Sequence, residues 1–430
     1  MYLAYNVLIC LALPLIVVYH QYRSASRGRP AAFLPRFGFL GRDKLEILAG
    51  RRPIWVHAVS VGETIAVKPL LAELKRRYPE SPIVLSNMTE TGRSVAESLR
   101  DVDLVIYFPF DYPFAVTRLL ATVNPRLVVI VETELWPNFL RSARRLGIPT
   151  MIVNGRISDR SYGRYRTLRS FFAAVLGDLA ACCMQSREDA GRVIALGAPE
   201  SRVVVTRNLK FDIPCPNFAR MEREAIRNRF AIPESVFVFT AGSTHQGEDG
   251  AVLDAFAALR QSGAQAVLVL VPRHPERSGE VAGLISGRGL SYRLRSSLRD
   301  QNETLGEGDV LLVDTVGELM SLYAVSDLVF VGGSLVPVGG HNLLEPASMG
   351  VPTLFGPHMT NFREIAAMSI SYASACQVAD AGSLAREAVA LFQDAEGRRL
   401  MRESGRRLIA EQGGATGLNM AVIDRLLRGG

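Results

Sequence analysis

The stretch His57-Ala58-Val59-Ser60-Val61-Gly62-Glu63 decides the fold, because it joins a strand to a helix and leaves a carboxylate at the junction. Ahead of it, residues 53–58 form a short apolar run with Trp55 and Val56, the pattern of a buried parallel strand. Behind it, Val67, Leu70, Leu71 and Leu74 recur at i, i+3, i+4 and i+7, so the chain turns helical just after Gly62. Ser60 fits an N-cap, and Glu63 three residues on fits a capping box. The same carboxylate lies at the carboxyl end of a first parallel strand, where open α/β sheets gather their ligands. Capping and catalysis are both open on local sequence, and residues further along decide between them.

Outward from this stretch the pattern repeats. Apolar runs at 83–86, 104–108, 127–132, 150–154, 181–185 and 203–206 read as strands, each separated by a helical or turn-rich stretch. Such alternation implies a parallel sheet wrapped by helices. A segment with Pro214, Pro216, Pro233 and a charged run over 221–229 then interrupts the series. Alternation restarts with strands expected at 236–241, 266–272, 309–314, 328–331 and 352–355, and the tail from Ser383 reads as amphipathic helix. The expected organisation is a helix over 1–22, a first α/β domain over 23–212, a linker over 213–235, a second α/β domain over 236–382, and helices over 383–430 that brace the first domain.

A chain of 430 residues is too long for one ordinary core, which fits this division. The net charge of +7 and pI near 9.3 favour an anionic partner, a phosphorylated ligand or a membrane surface. Nucleic acid is disfavoured, since no zinc-finger spacing, RNA-recognition signature or long basic run interleaved with aromatics occurs. The five cysteines, Cys10, Cys182, Cys183, Cys215 and Cys376, form no C-x-x-C pair, which argues for a reducing compartment.

Residues 2–19 read YLAYNVLICLALPLIVVY without a charge, and as a helix they would span roughly 27 Å. A secretory signal would carry a basic segment ahead of the apolar run, and none precedes it here. Arg23, Arg27, Arg29 and Arg36 follow it, so the positive-inside bias places the rest of the protein in the cytoplasm. A spanning anchor and an interfacial helix are both compatible with this segment, which contains Pro14.

Polar residues converge just after the expected strands. Glu132-Thr133-Glu134-Leu135-Trp136-Pro137-Asn138, Asn154-Gly155-Arg156-Ile157-Ser158 and Asn208-Leu209-Lys210-Phe211-Asp212 do so in the first half. In the second half, Gly242-Ser243-Thr244-His245-Gln246-Gly247-Glu248, Gly332-Gly333-Ser334 and Gly339-Gly340-His341-Asn342 follow strands and open helices, where free amides suit a phosphate. Pro272-Arg273-His274-Pro275 and Asp314-Thr315-Val316-Gly317-Glu318-Leu319 end two further strands. His245, His274 and His341 lack short metal-ligand spacing and read better as donors around phosphate or sugar than as zinc ligands. Asp101-Val102-Asp103 precedes a strand instead of ending one, so it reads as a solvated helix end and not a metal motif.

Taken together, HAVSVGE, ETELWPN, NGRIS, NLKFD, GSTHQGE, PRHPER, DTVGEL and GGHNLLEPA resemble the 3-deoxy-D-manno-octulosonic acid (Kdo) transferases of lipopolysaccharide assembly, over nearly the whole chain. The resemblance implies a GT-B α/β fold, two Rossmann-like β/α/β domains facing a cleft, with an N-terminal membrane-anchor helix. It implies an inverting enzyme of the inner membrane, with its catalytic domains on the cytoplasmic side, that moves Kdo from CMP-Kdo to a lipid A precursor (lipid IVA) with no cofactor and no metal. It further implies Glu63 as general base, with Glu132 and Lys210 assisting the transition state, and contacts to CMP from Pro272, Arg273, Gly317, Glu318, Leu319, Asn342, Leu343, Leu344 and Glu345. Amides at Ser243 and Asn342 join Arg273 in facing the leaving phosphate. Two departures are visible: Arg207 stands where the family usually has glycine before NLKFD, and Gln246 where it often has glutamate.

Two other readings stay open on sequence. One is a different GT-B nucleotide-sugar enzyme, an epimerase or another transferase, since the fold is shared. The other is a membrane-tethered nucleotide-sugar or lipid-binding protein without turnover.

Overall fold

The computed structural model describes residues 2–27, 33–216, 218–298 and 304–428. Arg29 lies outside the described residues, as do the side chains of Arg23 and Arg27. The chain forms two compact units, residues 1–212 with 413–430 and residues 213–412.

In the first unit the strands are β1 (Ile54–His57), β2 (Ile83–Asn87), β3 (Leu104–Tyr107), β4 (Leu127–Val131), β5 (Thr150–Gly155), β6 (Ala181–Met184) and β7 (Val203–Val205). They pair in parallel in the order β3-β2-β1-β4-β5-β6-β7. Helices cover both faces, so the strands carry apolar residues on each. Trp55, Val128, Ile130 and Ile152 point into one core, while Ile54, Val56, Val129 and Val153 point into the other. Burying a side chain of this size contributes about 1.5–3 kcal/mol, so these two layers fix the strand register.

The second unit repeats the plan with β8 (Phe237–Thr244), β9 (Ala266–Pro272), β10 (Tyr292–Leu294), β11 (Val310–Leu312), β12 (Leu328–Val331), β13 (Thr353–Phe355) and β14 (Ala375–Gln377). Their order is β10-β11-β9-β8-β12-β13-β14, again all parallel. Both sheets therefore reverse direction beside their central first strand, which places two crevices at the carboxyl ends. The edge strands β10 and β14 are absent from the sequence reading. Tyr292-Arg293-Leu294 is exposed or half-buried and gives no apolar run, and Ala375-Cys376-Gln377 is too short to show one.

The segments read as linker and tail divide differently from the sequence expectation. Residues 213–235 cluster with the second unit, where the helix Arg220–Arg229 packs on Leu319–Val325. Residues 383–412 also stay there, and the chain rejoins the first unit only at Gly413. The last helix, Ala415–Arg428, then buries Met420, Val422 and Ile423 in the first unit's core beside Leu70 and Leu74. Its N-terminus is capped by Asp212, whose carboxylate accepts from the amides of Gly414 (2.7 Å), Ala415 (3.1 Å) and Thr416.

The N-terminal apolar segment is one helix, Tyr2–Arg27, with Pro14 inside it. One side is half-buried against the first unit and the other is exposed.

Candidate active-site residues of the two units

In the first unit, Glu63 occupies the first turn of the short helix Val61–Ala66, directly after β1. Its N–H donates to Ser60 Oγ at 3.3 Å, and the Ser60 hydroxyl donates back to Glu63 Oε1 at 2.9 Å. The Val59 N–H donates to Oε2 at 2.7 Å. The capping role is thus real, although the carboxylate reaches the amide before the cap instead of that of the cap itself. Glu63 is 9% exposed, and burial is the first cause raising its pKa; the Glu132 charge adds to the rise, against the Val59 and Ser60 hydrogen bonds and the Lys210 charge.

Glu132 follows β4 with φ +59°, a left-handed conformation unusual outside glycine, while its own N–H donates to Val153 O at 2.9 Å. Lys210 Nζ lies 3.9 Å from Glu132 Oε1, and each side chain is one-third exposed. The turn that presents Lys210 is built from Asn154 and Asn208. Asn154 Oδ1 accepts from the Leu209 N–H at 2.9 Å, and Asn208 Oδ1 from the Lys210 N–H at 3.0 Å. Arg207, the departure from glycine, adopts φ +63°, which explains why glycine suits the position, and its guanidinium donates to Gly413 O at 2.7 Å. The structure thus gathers Glu63, Glu132 and Lys210 at one sheet edge.

Glu134 joins them and had no assigned role in the sequence reading. Burial, then the charges of Glu63 and Glu132, push its pKa up to about 7. Its place in ETELWPN was the available signal, three residues after the end of β4. By contrast, Asp103 of the D-x-D segment is structural: it accepts from the Ile83 N–H at 2.8 Å and pairs with Lys75 at 2.5 Å.

In the second unit, Ser243 lies within β8 at φ +59°, and the helix that follows begins at Asp249; the sequence had put the helix amides near Ser243. The expected free amides after β12 are likewise occupied. Glu248, fully buried, accepts from the N–H groups of Gly333 (2.6 Å), Ser334 (2.9 Å), Leu335 (2.8 Å) and His245 (2.9 Å). A carboxylate from the chain itself fills that anion-binding nest and fixes two loops at the carboxyl edge.

Arg273 follows Pro272 at the end of β9, is exposed, and has its backbone pinned by an N–H bond to Thr244 O at 2.9 Å. Its charge reaches His245, His341 and Glu345. The two histidines stack with Nε2 atoms 2.9 Å apart, and burial is the first cause lowering both pKa values, that of His341 to about 4. Both are therefore neutral at pH 7, and one donates to the other. Asn342 Nδ2 donates to Glu345 Oε1 at 3.3 Å, and Asn342 Oδ1 accepts from the Leu344 N–H at 3.1 Å. Glu345 is pushed up by burial, with Asn342 and Arg273 pulling the other way. Leu343 and Leu344 are buried, backbone included, and the Leu344 N–H is already held by Asn342. Gly317 sits at φ +90° ahead of the helix Leu319–Val325. Glu318 is held by Arg295 at 3.0 Å and by the Thr315 hydroxyl at 2.5 Å; burial raises its pKa, but these partners win and the net shift is downward.

Two parallel Rossmann-like sheets with polar residues at their carboxyl edges place the protein in the GT-B class of glycosyltransferase folds. Known structures agree on the fold: a glycosyltransferase from Rickettsia africae is 14% identical, covers 89% of this chain and 100% of its own, and has a TM-score of 0.55. A UDP-GlcNAc 2-epimerase from Neisseria meningitidis matches equally well, at 13% identity, 87% and 100% coverage and TM-score 0.56, so the fold does not choose between transferase and epimerase. Sequence does. Residues 31–213 match the family 3-Deoxy-D-manno-octulosonic-acid transferase (kdotransferase). A 3-deoxy-D-manno-octulosonic acid transferase of Haemophilus influenzae is 34% identical over 414 residues, 96% of this chain and 95% of its own. The chain belongs to the 3-deoxy-D-manno-octulosonic acid transferase family and is a glycosyltransferase.

Proposed function

We propose that the protein transfers Kdo from CMP-Kdo to a lipid A precursor, lipid IVA, in lipopolysaccharide assembly at the cytoplasmic leaflet of the inner membrane. The observation that carries the catalytic assignment is the grouping of Glu63 with Glu132 and Lys210 at the carboxyl edge of the first sheet. Acceptor activation is assigned to the first unit and donor binding to the second.

An acceptor hydroxyl is a poor nucleophile until a carboxylate takes its proton during attack. Glu63 serves as that base, and burial, by raising its proton affinity, makes it a stronger one at neutral pH. The acceptor oxygen bonds to the anomeric carbon as that carbon's bond to the CMP phosphate oxygen breaks. The proton passes to Glu63, CMP departs with the bonding pair, and attack from the opposite face inverts the centre. Lys210, steered by Glu132, supplies positive charge as negative charge develops. On the donor side Arg273 takes phosphate, Glu345 ribose hydroxyls, and Ser243, Pro272, Gly317, Glu318, Leu319 and the segment Asn342–Leu344 complete the CMP contacts. Neutral His245 and His341 fit as hydrogen-bond partners for sugar or phosphate. No metal or cofactor is assigned to the reaction.

Purified protein incubated with CMP-Kdo and lipid IVA in detergent should add the mass of Kdo to the acceptor and release CMP. An unchanged acceptor with CMP-Kdo hydrolysed or merely bound would refute the transfer.

A further inference from the structure

We propose that the helix Tyr2–Arg27 lies flat in the surface of an anionic bilayer, docked on the first unit along one side and covered by lipid along the other, and does not cross the membrane. The inference concerns the membrane attachment in the proposed function, and its test uses no turnover, so either can fail alone.

Exposure along the helix follows the helical period. Tyr2, Tyr5, Asn6, Ile9, Leu13 and Ile16 are half-buried, whereas Leu3, Leu8, Leu11, Leu15 and Val18 are 63–79% exposed. The half-buried side is fastened by polar bonds. Tyr2 Oη donates to Asp178 at 3.0 Å, Tyr5 Oη to the buried Asp111 at 2.8 Å, Asn138 Nδ2 to Asn6 Oδ1 at 2.6 Å, and Tyr112 Oη to Ile9 O at 2.8 Å. Further along, Ile9, Leu13 and Ile16 pack against Phe110 and Tyr112. Residues 2–16 are thus bound, over about 21 Å of helix, to the α/β first unit, whose loops and sheet edges cannot enter hydrocarbon. A spanning helix needs lipid on every side through that length. Crossing would break the four bonds, carry Tyr5 and Asn6 into hydrocarbon, and strip Asp111 of a partner, each step costing kcal/mol.

The outer face must still leave water. The window Tyr2–Tyr19 has a mean hydropathy of 2.1, and Phe114, 60% exposed and stacked on Phe37 at 5.8 Å, extends the apolar surface onto the domain. The surroundings are basic. Arg141 lies over the Tyr2 ring at 4.2 Å. Phe171, 5.7 Å from Tyr2, packs on Phe172, whose ring lies 4.2 Å from Tyr165 in the helix Asp159–Thr167, where Arg160, Arg164 and Arg166 are exposed and form no ion pair among the described residues. An apolar stripe flanked by arginines complements anionic headgroups over acyl chains, whereas a second copy would oppose like charges.

Single fluorophores at Leu3→Cys, native Cys10 and Val18→Cys test this, each in the full chain with its other accessible cysteines changed to serine. They are read with depth-placed nitroxide lipids in vesicles of phosphatidylcholine and phosphatidylglycerol. All three should report one depth within about 5 Å, at the boundary of headgroups and acyl chains. Cys10 near the midplane with the other two shallow means that the helix crosses, and overturns the proposal. No quenching, with Cys10 crosslinking between chains, means that a second copy covers the face, and overturns it too. Changing Arg160, Arg164 and Arg166 together to Glu should weaken binding to these vesicles tenfold or more and leave binding to pure phosphatidylcholine unchanged; equal loss on both rejects the anionic-headgroup part.

Discussion

Ser60 and Glu63 bond each other in both directions, the serine oxygen accepting the glutamate N–H at 3.3 Å while its hydroxyl donates to the carboxylate at 2.9 Å. One carboxylate thus closes a helix cap and is assigned the proton of the reaction, and two substitutions separate those duties. Glu63→Gln keeps an acceptor for the Val59 N–H, so thermal stability should hold within about 1 kcal/mol while kcat falls about 10²–10⁴-fold. Glu63→Ala should lose the same activity and a further 1–2 kcal/mol or so of stability. CMP affinity, measured by calorimetry, should be unchanged in both.

Glu134 should make the protein less stable at neutral and alkaline pH than a normal carboxyl would, with no penalty in acid. Its folded pKa of about 7 exceeds that of the unfolded chain, so below the unfolded value both states hold the proton and nothing is lost. As pH rises towards 7 the folded state must retain a proton that the unfolded state has released, and above 7 the penalty is complete. Glu134→Gln should therefore raise stability at pH 8 by about 1–3 kcal/mol and change it little at pH 4, as urea melts at the two pH values would report.

The acidic limb of the rate profile reports the base. Because the pKa of Glu63 is raised, kcat should fall with acidification at a higher pH than an ordinary carboxylate would give. Removing the neighbouring charge with Glu132→Gln should shift that limb to lower pH, and a profile that does not move would remove Glu63 from the role.

Lys210 and Glu132 are each one-third exposed and 3.9 Å apart, a pair that contributes about 0–1 kcal/mol to folding. Lys210→Met should therefore leave the melting temperature nearly unchanged but lower kcat by tenfold or more. A comparable loss of both would make the lysine merely structural.

Arg207 holds a left-handed conformation at φ +63° and compensates with a bond to Gly413 O. Arg207→Gly removes strain and bond together, so its net effect should stay within about 1 kcal/mol. Arg207→Val keeps the strain and loses the bond, and should cost about 1–3 kcal/mol in a denaturant melt.

The two sheets were legible because buried parallel strands announce themselves as apolar runs, as in Leu127–Val131 and Ala266–Pro272. The edge strands Tyr292–Leu294 and Ala375–Gln377 were not, since an edge has less burial to record. Glu63, Glu132 and Lys210 were legible from their places after strands. Glu248 was not: four backbone amides from two loops converge on it, and nothing local distinguishes it from a surface glutamate. The same convergence corrects the expectation of free amides at Gly333 and Ser334. The docking of the first helix was equally hidden, because Tyr2, Tyr5 and Asn6 find partners more than a hundred residues away.

The carboxylate of Asp212 grips the amides that follow Gly413, so the chain's exit and re-entry points are stitched together. The first unit is therefore discontinuous in sequence: its core includes Met420 and Ile423, which are made only after the whole of residues 213–412. The interior segment is in effect an insert, and removing residues 413–430 should leave it with all of its own parts while uncovering Leu70 and Leu74 in the first unit.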